Sequence, residues 1–234
     1  MKLELQGVYH RYDIDVLKNL SLIVEGYKSI AIIGVSGSGK STLLRLLSGL
    51  EQQTGGTITV NGHDVTAPEY RKSVGFVFQS HNLFPHLTLE RNITLVLEKT
   101  RGFSQERAKA QAARYLELLH LSDQGHKLPR NVSGGQAQRA SIARALSVEP
   151  EVIFLDEPTS SLDPILTYEV LSAIKELREL GMEFVLVSHV MSFVHDFADY
   201  VIFMKDGHIG EHGTPKILEE PRTRELIDFM AKVP

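Results

Sequence analysis

The spacing of apolar residues changes along the chain, and each change marks a different kind of element. Val8 to Tyr12 and Leu20 to Val24 are rich in β-formers, and Thr57 to Val65 alternates around Asn61-Gly62, a strong two-residue hairpin signal. These segments predict an antiparallel sheet. Ser29 to Ile33 is instead a short continuous apolar run, the pattern of a parallel strand buried on both faces. From Thr88 to about Ser147 the period lengthens. Ala108, Ala112, Tyr115, Leu116, Leu118 and Leu119 recur at helical spacing, as do Ala140, Ala143 and Leu146, so this stretch reads as a helical lobe. Val152 to Leu155 and Phe184 to Val187 return to the buried-strand pattern. Between them, Asp163 as N-cap and Pro164 at the first helical position open a helix that closes near Gly181. Tyr200 to Met204 and His208 to Glu211 flank Asp206-Gly207, a second hairpin signal. Thr214-Pro215 starts a short helix, and Pro221 separates it from a last helical piece ending near Met230. With no internal repeat and no Pro/Gly-rich linker, the helical lobe reads as an insertion into one α/β core.

Composition narrows the function. The 234 residues include 25 basic and 29 acidic side chains, for a formal charge of -4, which argues against binding nucleic acid through overall charge. The chain has no cysteine, so disulfides, Cys-ligated zinc and thiol catalysis are excluded. Met1 to Gly7 lacks the apolar run of a secretory leader. The most apolar stretch, Phe184 to Met204, is interrupted by His189, His195, Asp196 and Asp199, so any membrane role is expected to be peripheral. His208 and His212 have the spacing of helical zinc sites, but in a strand that spacing separates them by about 13 Å.

Two segments carry chemistry. Gly34-Val35-Ser36-Gly37-Ser38-Gly39-Lys40-Ser41 fits the phosphate-loop pattern G-x-x-x-x-G-K-[ST], follows the Ser29 to Ile33 strand and precedes a helical pattern that carries Leu43, Leu44, Leu46 and Leu47. The glycines let backbone amides turn toward phosphates, Lys40 reaches the β- and γ-phosphates, and Ser41 is a candidate Mg²⁺ ligand. Val152 to Glu157 is an apolar strand ending in two acids. Asp156 is expected in the Mg²⁺ shell and Glu157 as the base that polarises water. A third segment, Ser133-Gly134-Gly135-Gln136, has the serine and glutamine of a capping box, which would suffice to start a helix. Its two glycines are expected to leave the helix amides open to an anion.

In this order these residues resemble the nucleotide-binding subunits of ABC transporters, over essentially the whole chain. Tyr12 corresponds to the aromatic A-loop residue, Gly34 to Ser41 to Walker A, Gln79 to the Q-loop, and Val132 to Gln136 to the LSGGQ signature. Val152 to Glu157 corresponds to Walker B, Ser161-Leu162-Asp163 to the D-loop, and His189 to the switch histidine. Val74 to Gln79, Asn82 to Thr88 and Asp156 to Ser160 look most like the importers of polar amino acids. The resemblance implies an α/β fold, a RecA-like P-loop NTPase core with an N-terminal antiparallel β subdomain and an inserted helical subdomain. The core would span residues 1–87 and 149–215, the helical subdomain 88–148 and a helical tail 216–234.

The resemblance further implies a Mg²⁺-dependent ATPase working as a homodimer, with each ATP held between Walker A of one chain and the signature of the other. Tyr12 would stack on adenine, and Ser36, Gly37, Ser38, Gly39, Lys40, Ser41 and Thr42 would hold the phosphates. Gln79 and Asp156 would join Ser41 at the metal, His189 would contact the γ-phosphate, and Ser133, Gly135 and Gln136 would meet the opposite subunit's nucleotide. Implied partners are transmembrane permease subunits and, indirectly, a solute-binding protein, at the cytoplasmic face of the inner membrane. An ABC-type clamp or exporter is the rival reading, and the absence of a coiled-coil insertion, a second cassette and a basic excess weighs against it. Asp13 stands where a glycine usually follows the A-loop aromatic. Val132 replaces the usual signature leucine at a position buried by analogy. Arg91 and Glu98-Lys99 depart from the usual residues after the Q-loop, where the family meets its membrane partner.

Overall fold

The structure, a computed structural model, describes residues 1–232. Strands β1 (Lys2–Arg11) and β2 (Asp15–Glu25) pair antiparallel from Lys2↔Glu25 to Arg11↔Asp15. β1 thus begins well before Val8. Leu3 and Leu5 point inward, but a register shift between Leu5 and Val8 moves the inward positions to Val8 and His10. Strict alternation therefore resumes only after the bulge, which hides the first half of the strand from a period-2 reading. Tyr12 lies just past the strand, in the bend before β2.

β3 (Ser29–Gly34) is buried at every position and leads through the glycine-rich loop into α1 (Lys40–Leu47). β4 (Gly55–Val60) and β5 (His63–Asp64) close the expected hairpin, with Asn61 and Gly62 at φ 50° and 79°. A short α2 (Tyr70–Ser73) enters β6 (Val74–Val77). The helical stretch resolves into α3 (Leu89–Arg101), α4 (Gln105–Leu118) and α5 (Gly134–Ser147), capped by the side chains of Thr88, Ser104 and Ser133. After β7 (Val152–Asp156), Asp163 caps α6 (Pro164–Glu179) by accepting the amides of Ile165 and Leu166 at 2.9 and 3.0 Å. β8 (Glu183–Val187) is followed by α7 (Met191–Phe197), an unexpected helix of seven residues that buries Phe193, Val194 and Phe197. β9 (Tyr200–Lys205), β10 (His208–Gly213), α8 (Lys216–Glu219) and α9 (Arg224–Met230) complete the fold.

Two sheets result, ordered β2-β1-β4-β5 and β10-β9-β3-β8-β7-β6. In the larger one, β3, β6, β7, β8 and β9 run parallel and β10 forms an antiparallel edge. Its faces feed two cores. Ala31, Ile33, Ile153 and Leu155 pack with residues of α3 to α7, while Ile30, Ile32, Val152 and Phe154 pack with α1 and the smaller sheet. The parallel registers Ile32↔Val187, Leu155↔Leu186 and Val77↔Leu155 bring the carboxyl ends of β3, β6, β7 and β8 to one edge. These ends lead into the Gly34–Ser41 loop, Gln79, Asp156-Glu157 and His189, the rim where open parallel sheets bind ligands.

Among the described residues, no helix is long and apolar enough to cross a membrane. On α3, Arg91 makes a two-pronged pair with Glu98 at 2.5 and 3.1 Å, so two of the departures after the Q-loop satisfy each other. Fully buried Asn92 holds the preceding loop by accepting the amide of Phe84 at 2.7 Å and donating to the carbonyls of Phe84, Leu87 and Thr88.

Candidate nucleotide site

The phosphate loop folds around backbone that only glycine supplies. At Gly39, φ is 97° and a Cβ would meet Leu17 Cδ2 at 2.6 Å. Gly39 also sits at the N-cap of α1, which has no side-chain cap, in contrast to α3, α5 and α6. The first-turn amides of α1 therefore remain for an anion, at the positive end of the helix dipole. Ser38 Oγ, on a residue 1% exposed, has no hydrogen-bond partner among the described residues. Lys40 is buried, and its ammonium donates to the carbonyl of Val35 at 2.9 Å. Burial pushes its pKa down, against the attraction of Glu157 and Asp156.

Ser41 Oγ donates to Asp156 Oδ1 at 2.7 Å. Burial raises the Asp156 pKa, against the Ser41 bond and the Arg45 charge. A hydroxyl and a carboxylate at this separation are the hard oxygen donors that Mg²⁺ prefers. The next residue, Glu157, adopts φ 45°, an uncommon conformation for a side chain with a Cβ. Its amide donates to the carbonyl of Val187 at 3.1 Å, and its Oε1 lies 2.9 Å from Nε2 of His189. The turn thus aims the second acid across to the histidine after β8 while the first stays with Ser41.

A cleft of ≈ 360 Å³ is lined by Tyr12, Val16, Ser36, Gly37, Gly39, Lys40, Ser41, Thr42 and Glu157. Tyr12 is 52% exposed at its rim, edge-on to His10 with ring centroids 4.7 Å apart and hydrogen-bonded to Glu51. Asp156 joins the cleft through Ser41, and His189 through Glu157. Gln79 is exposed two residues beyond β6, outside the cleft lining. Ser133, Gly135 and Gln136 do not line it either. Ser133 and Gln136 form the capping box of α5, with Gln136 N donating to Ser133 Oγ at 3.2 Å and Ser133 N to Gln136 Oε1 at 3.0 Å.

The two signature glycines have a reason that the sequence did not reveal. A Cβ on Gly134 would meet Leu162 Cδ2 at 3.0 Å, and one on Gly135 would meet Leu166 at 3.2 Å. Close packing against the D-loop and α6 accounts for them within this chain. The same two helices are bound by Arg139, which pairs with Glu169 at 2.7 Å. Val132 is half-buried against the core, less enclosed than expected. Sequence reasoning also missed Glu51 and Asn92. Asn92 had a signal, a polar residue beside Leu89 and Ile93 on the inward face of α3, whereas Glu51 meets Tyr12 across 39 positions and had none.

Comparison with known proteins identifies the family. The ABC transporter family profile matches residues 17–160. The arginine transport ATP-binding protein ArtM of Bacillus subtilis is 42% identical over 225 residues, 94% of each chain. The L-cystine transport system ATP-binding protein TcyN of Escherichia coli is 45% identical, covering 91% of each. The Fe(3+) ions import ATP-binding protein FbpC of Brucella melitensis is 44% identical over 92% of this chain and 62% of its own length. Among solved structures, a dimeric post-hydrolysis state of the ATP-binding cassette MJ0796 with ADP and Pi superposes with a TM-score of 0.81 at 31% identity, covering 91% of this chain and 98% of that one. With the family profile matched over residues 17–160 and relatives above 40% identical over more than nine-tenths of the chain, the chain belongs to the ABC transporter family as an ATP-binding, ATP-hydrolysing subunit.

Proposed function

We propose that this subunit energises uptake of a small polar solute, an amino acid, through separate membrane-spanning subunits, and that it works as a homodimer whose ATP hydrolysis depends on Mg²⁺. The observation that carries the reading is the split of the site. Lys40, Ser41, Asp156, Glu157 and His189 converge on one cleft, while the signature residues of the same chain lie outside its lining. A second copy related by a two-fold axis would supply the missing signature to each cleft, giving two equivalent sites.

In this reading the α1 amides and Lys40 bind the phosphates, and Tyr12 stacks on the base. Ser41 and Asp156 would hold Mg²⁺, which when bound neutralises charge on the β- and γ-phosphates. Glu157 takes a proton from the attacking water, and His189 Nε2 holds that carboxylate in place. Gln79 is read as the contact between water, metal and the helical stretch. In support, the segment after it is tied to α5, since Arg144 donates to the carbonyl of Asn82 at 2.8 Å and His81 Nδ1 lies 2.5 Å from Gln138 Oε1. Movement at Gln79 then carries the signature helix with it.

The names of ArtM and TcyN support an amino acid as solute, and that of FbpC supplies the competing ligand for the test. The chain is to be purified with the products of its neighbouring genes, reconstituted in vesicles, and assayed for ATPase stimulation by single amino acids and by ferric iron. Stimulation by a polar amino acid is expected, and stimulation by iron alone overturns the assignment. The membrane face occupied is the one exposed to cytoplasmic ATP.

Two substitutions probe the flanks of the site. Tyr12→Ala is expected to weaken ATP affinity by about 1 to 2 kcal/mol through loss of one aromatic stack, with the phosphate contacts intact. Unchanged affinity in a calorimetric titration would make Tyr12 a surface residue only. Phe84 is 42% exposed on the loop that Asn92 fixes by its backbone, so its ring is displayed rather than packed. Phe84→Ala is expected to abolish solute uptake in vesicles while ATP hydrolysis continues. Intact uptake would remove this loop from the coupling surface.

A further inference from the structure

Helix α1 ends in a turn that folds back on itself, with the amides of Leu50 and Glu51 donating to the carbonyl of Arg45 at 3.0 and 3.3 Å. Glu51 therefore stands beside the last turn of the helix whose first turn carries Lys40 and Ser41. Its Oε2 accepts the hydroxyl of Tyr12 and lies 3.6 Å from His10 Nε2. Its Oε1 lies 3.5 Å from Arg45 Nη1, and Arg45 Nη2 lies 3.8 Å from Asp156 Oδ2. A continuous set of contacts runs from the rim of the cleft to its metal-binding acid, with Glu51 at the junction.

The contacts differ in kind. The two Arg45 contacts, at 3.5 and 3.8 Å, are ion pairs without hydrogen-bond geometry, so Arg45 is shared loosely between two carboxylates. The phenol bond is the directional one. It orients a ring that is otherwise half in solvent, braced on one side by buried His10. Burial and the Glu51 bond together hold the Tyr12 pKa above its ordinary value, so the phenol keeps the proton it donates.

We infer that Glu51 is a positioning residue for nucleotide binding, whose carboxylate fixes the Tyr12 ring in the orientation that receives the base and draws the Arg45 guanidinium toward itself from Asp156. The inference rests on the reading of Tyr12 as the base platform. A pre-ordered ring spares the binding step the entropy of immobilising a mobile side chain. Glu51 touches no nucleotide in this role, and its effect passes through Tyr12.

The test is a double-mutant cycle between Tyr12→Phe, which removes only the hydroxyl, and Glu51→Ala, read by calorimetric titration of the full chain with ATP in EDTA. Each single substitution is expected to raise the dissociation constant by about 3- to 10-fold, the worth of one hydrogen bond to a charged or neutral partner. The double variant is expected to bind no worse than Glu51→Ala, because both changes remove the same bond. Glu51→Gln, which keeps an acceptor for the phenol, is expected to recover most of the affinity. In steady state the loss should fall on KM rather than on kcat. Additive effects in the cycle, or a Glu51→Ala loss confined to kcat, overturn the role of Glu51. If Tyr12→Ala itself leaves affinity unchanged, the base-platform reading fails instead, so the two failures are distinguishable.

Discussion

Glu157→Gln is expected to lower ATP turnover by roughly 10² to 10⁴-fold, the range spanned by loss of a general base, while ATP still binds. The substitution is close to isosteric. The backbone stays at φ 45° with its amide on Val187, and a glutamine side chain can still face His189 Nε2. Only the basic carboxylate is lost. ATP that binds without being consumed accumulates the closed state, so the variant should elute as a dimer on size exclusion with Mg²⁺-free ATP and as a monomer with ADP, which lacks the γ-phosphate. Adding Ser133→Arg should abolish that dimer by setting a bulky side chain against the opposing phosphate. Ser133 is also the N-cap of α5, and losing a cap costs about 1 kcal/mol, so Ser133→Ala serves as the control that removes the cap without adding bulk. A Glu157→Gln protein that stays monomeric at saturating ATP would argue against the shared site, and wild-type turnover would remove Glu157 from catalysis.

Lys40→Ala carries the second large effect. Lys40 is the one cationic side chain among the described residues lining the cleft, and its ammonium is already desolvated and pointed along the loop by the Val35 carbonyl. Removing it leaves the α1 amides as the remaining source of positive potential, and hydrolysis should fall by at least about 10²- to 10³-fold, as when a preorganised donor to a developing charge is deleted. Burial lowers the pKa of this lysine in the free protein, so its charge, and with it ATP affinity, should be lost at lower pH than for an exposed lysine as the solution is made alkaline. Phosphate release assays and nucleotide titration check both statements. Turnover near the unmutated rate would sink the phosphate-loop assignment.

The placement of the candidate site residues was legible where they sit at the end of their own strand or in their own loop. Ile30 to Ile33 and Val152 to Leu155 are apolar at every position because both faces of the larger sheet are covered, and parallel strand order alone delivers the phosphate loop and the two acids, at the ends of these runs, to the ligand edge. The hairpin at Asn61-Gly62 and the cap at Asp163 were equally plain, since two or three adjacent residues determine them. Features set by distant partners were not legible. The first half of β1 was hidden by the shift of its inward face at Gln6 and Gly7. α7 was missed because its few inward residues sit within a strand-like apolar stretch beside His195 and Asp196. The sequence pointed to open amides at the signature glycines but not to the close approach of Leu162 and Leu166, in a segment that arrives only after folding.

The packing of Gly135 on Leu166, with Arg139 clasped to Glu169, has a further consequence. The turn that would touch one nucleotide and the helix that begins at the D-loop are geared together, with less than a methyl group's clearance between Gly135 and Leu166. Protein interiors transmit strain when packed this tightly. If two copies share their ATP sites as proposed, coupling between those sites is expected to depend on the volume of one leucine side chain, at a position that carries no signature residue and lines no nucleotide cleft. A redesign that sought to let the two sites fire separately would begin by trimming Leu166, leaving the conspicuous motifs untouched.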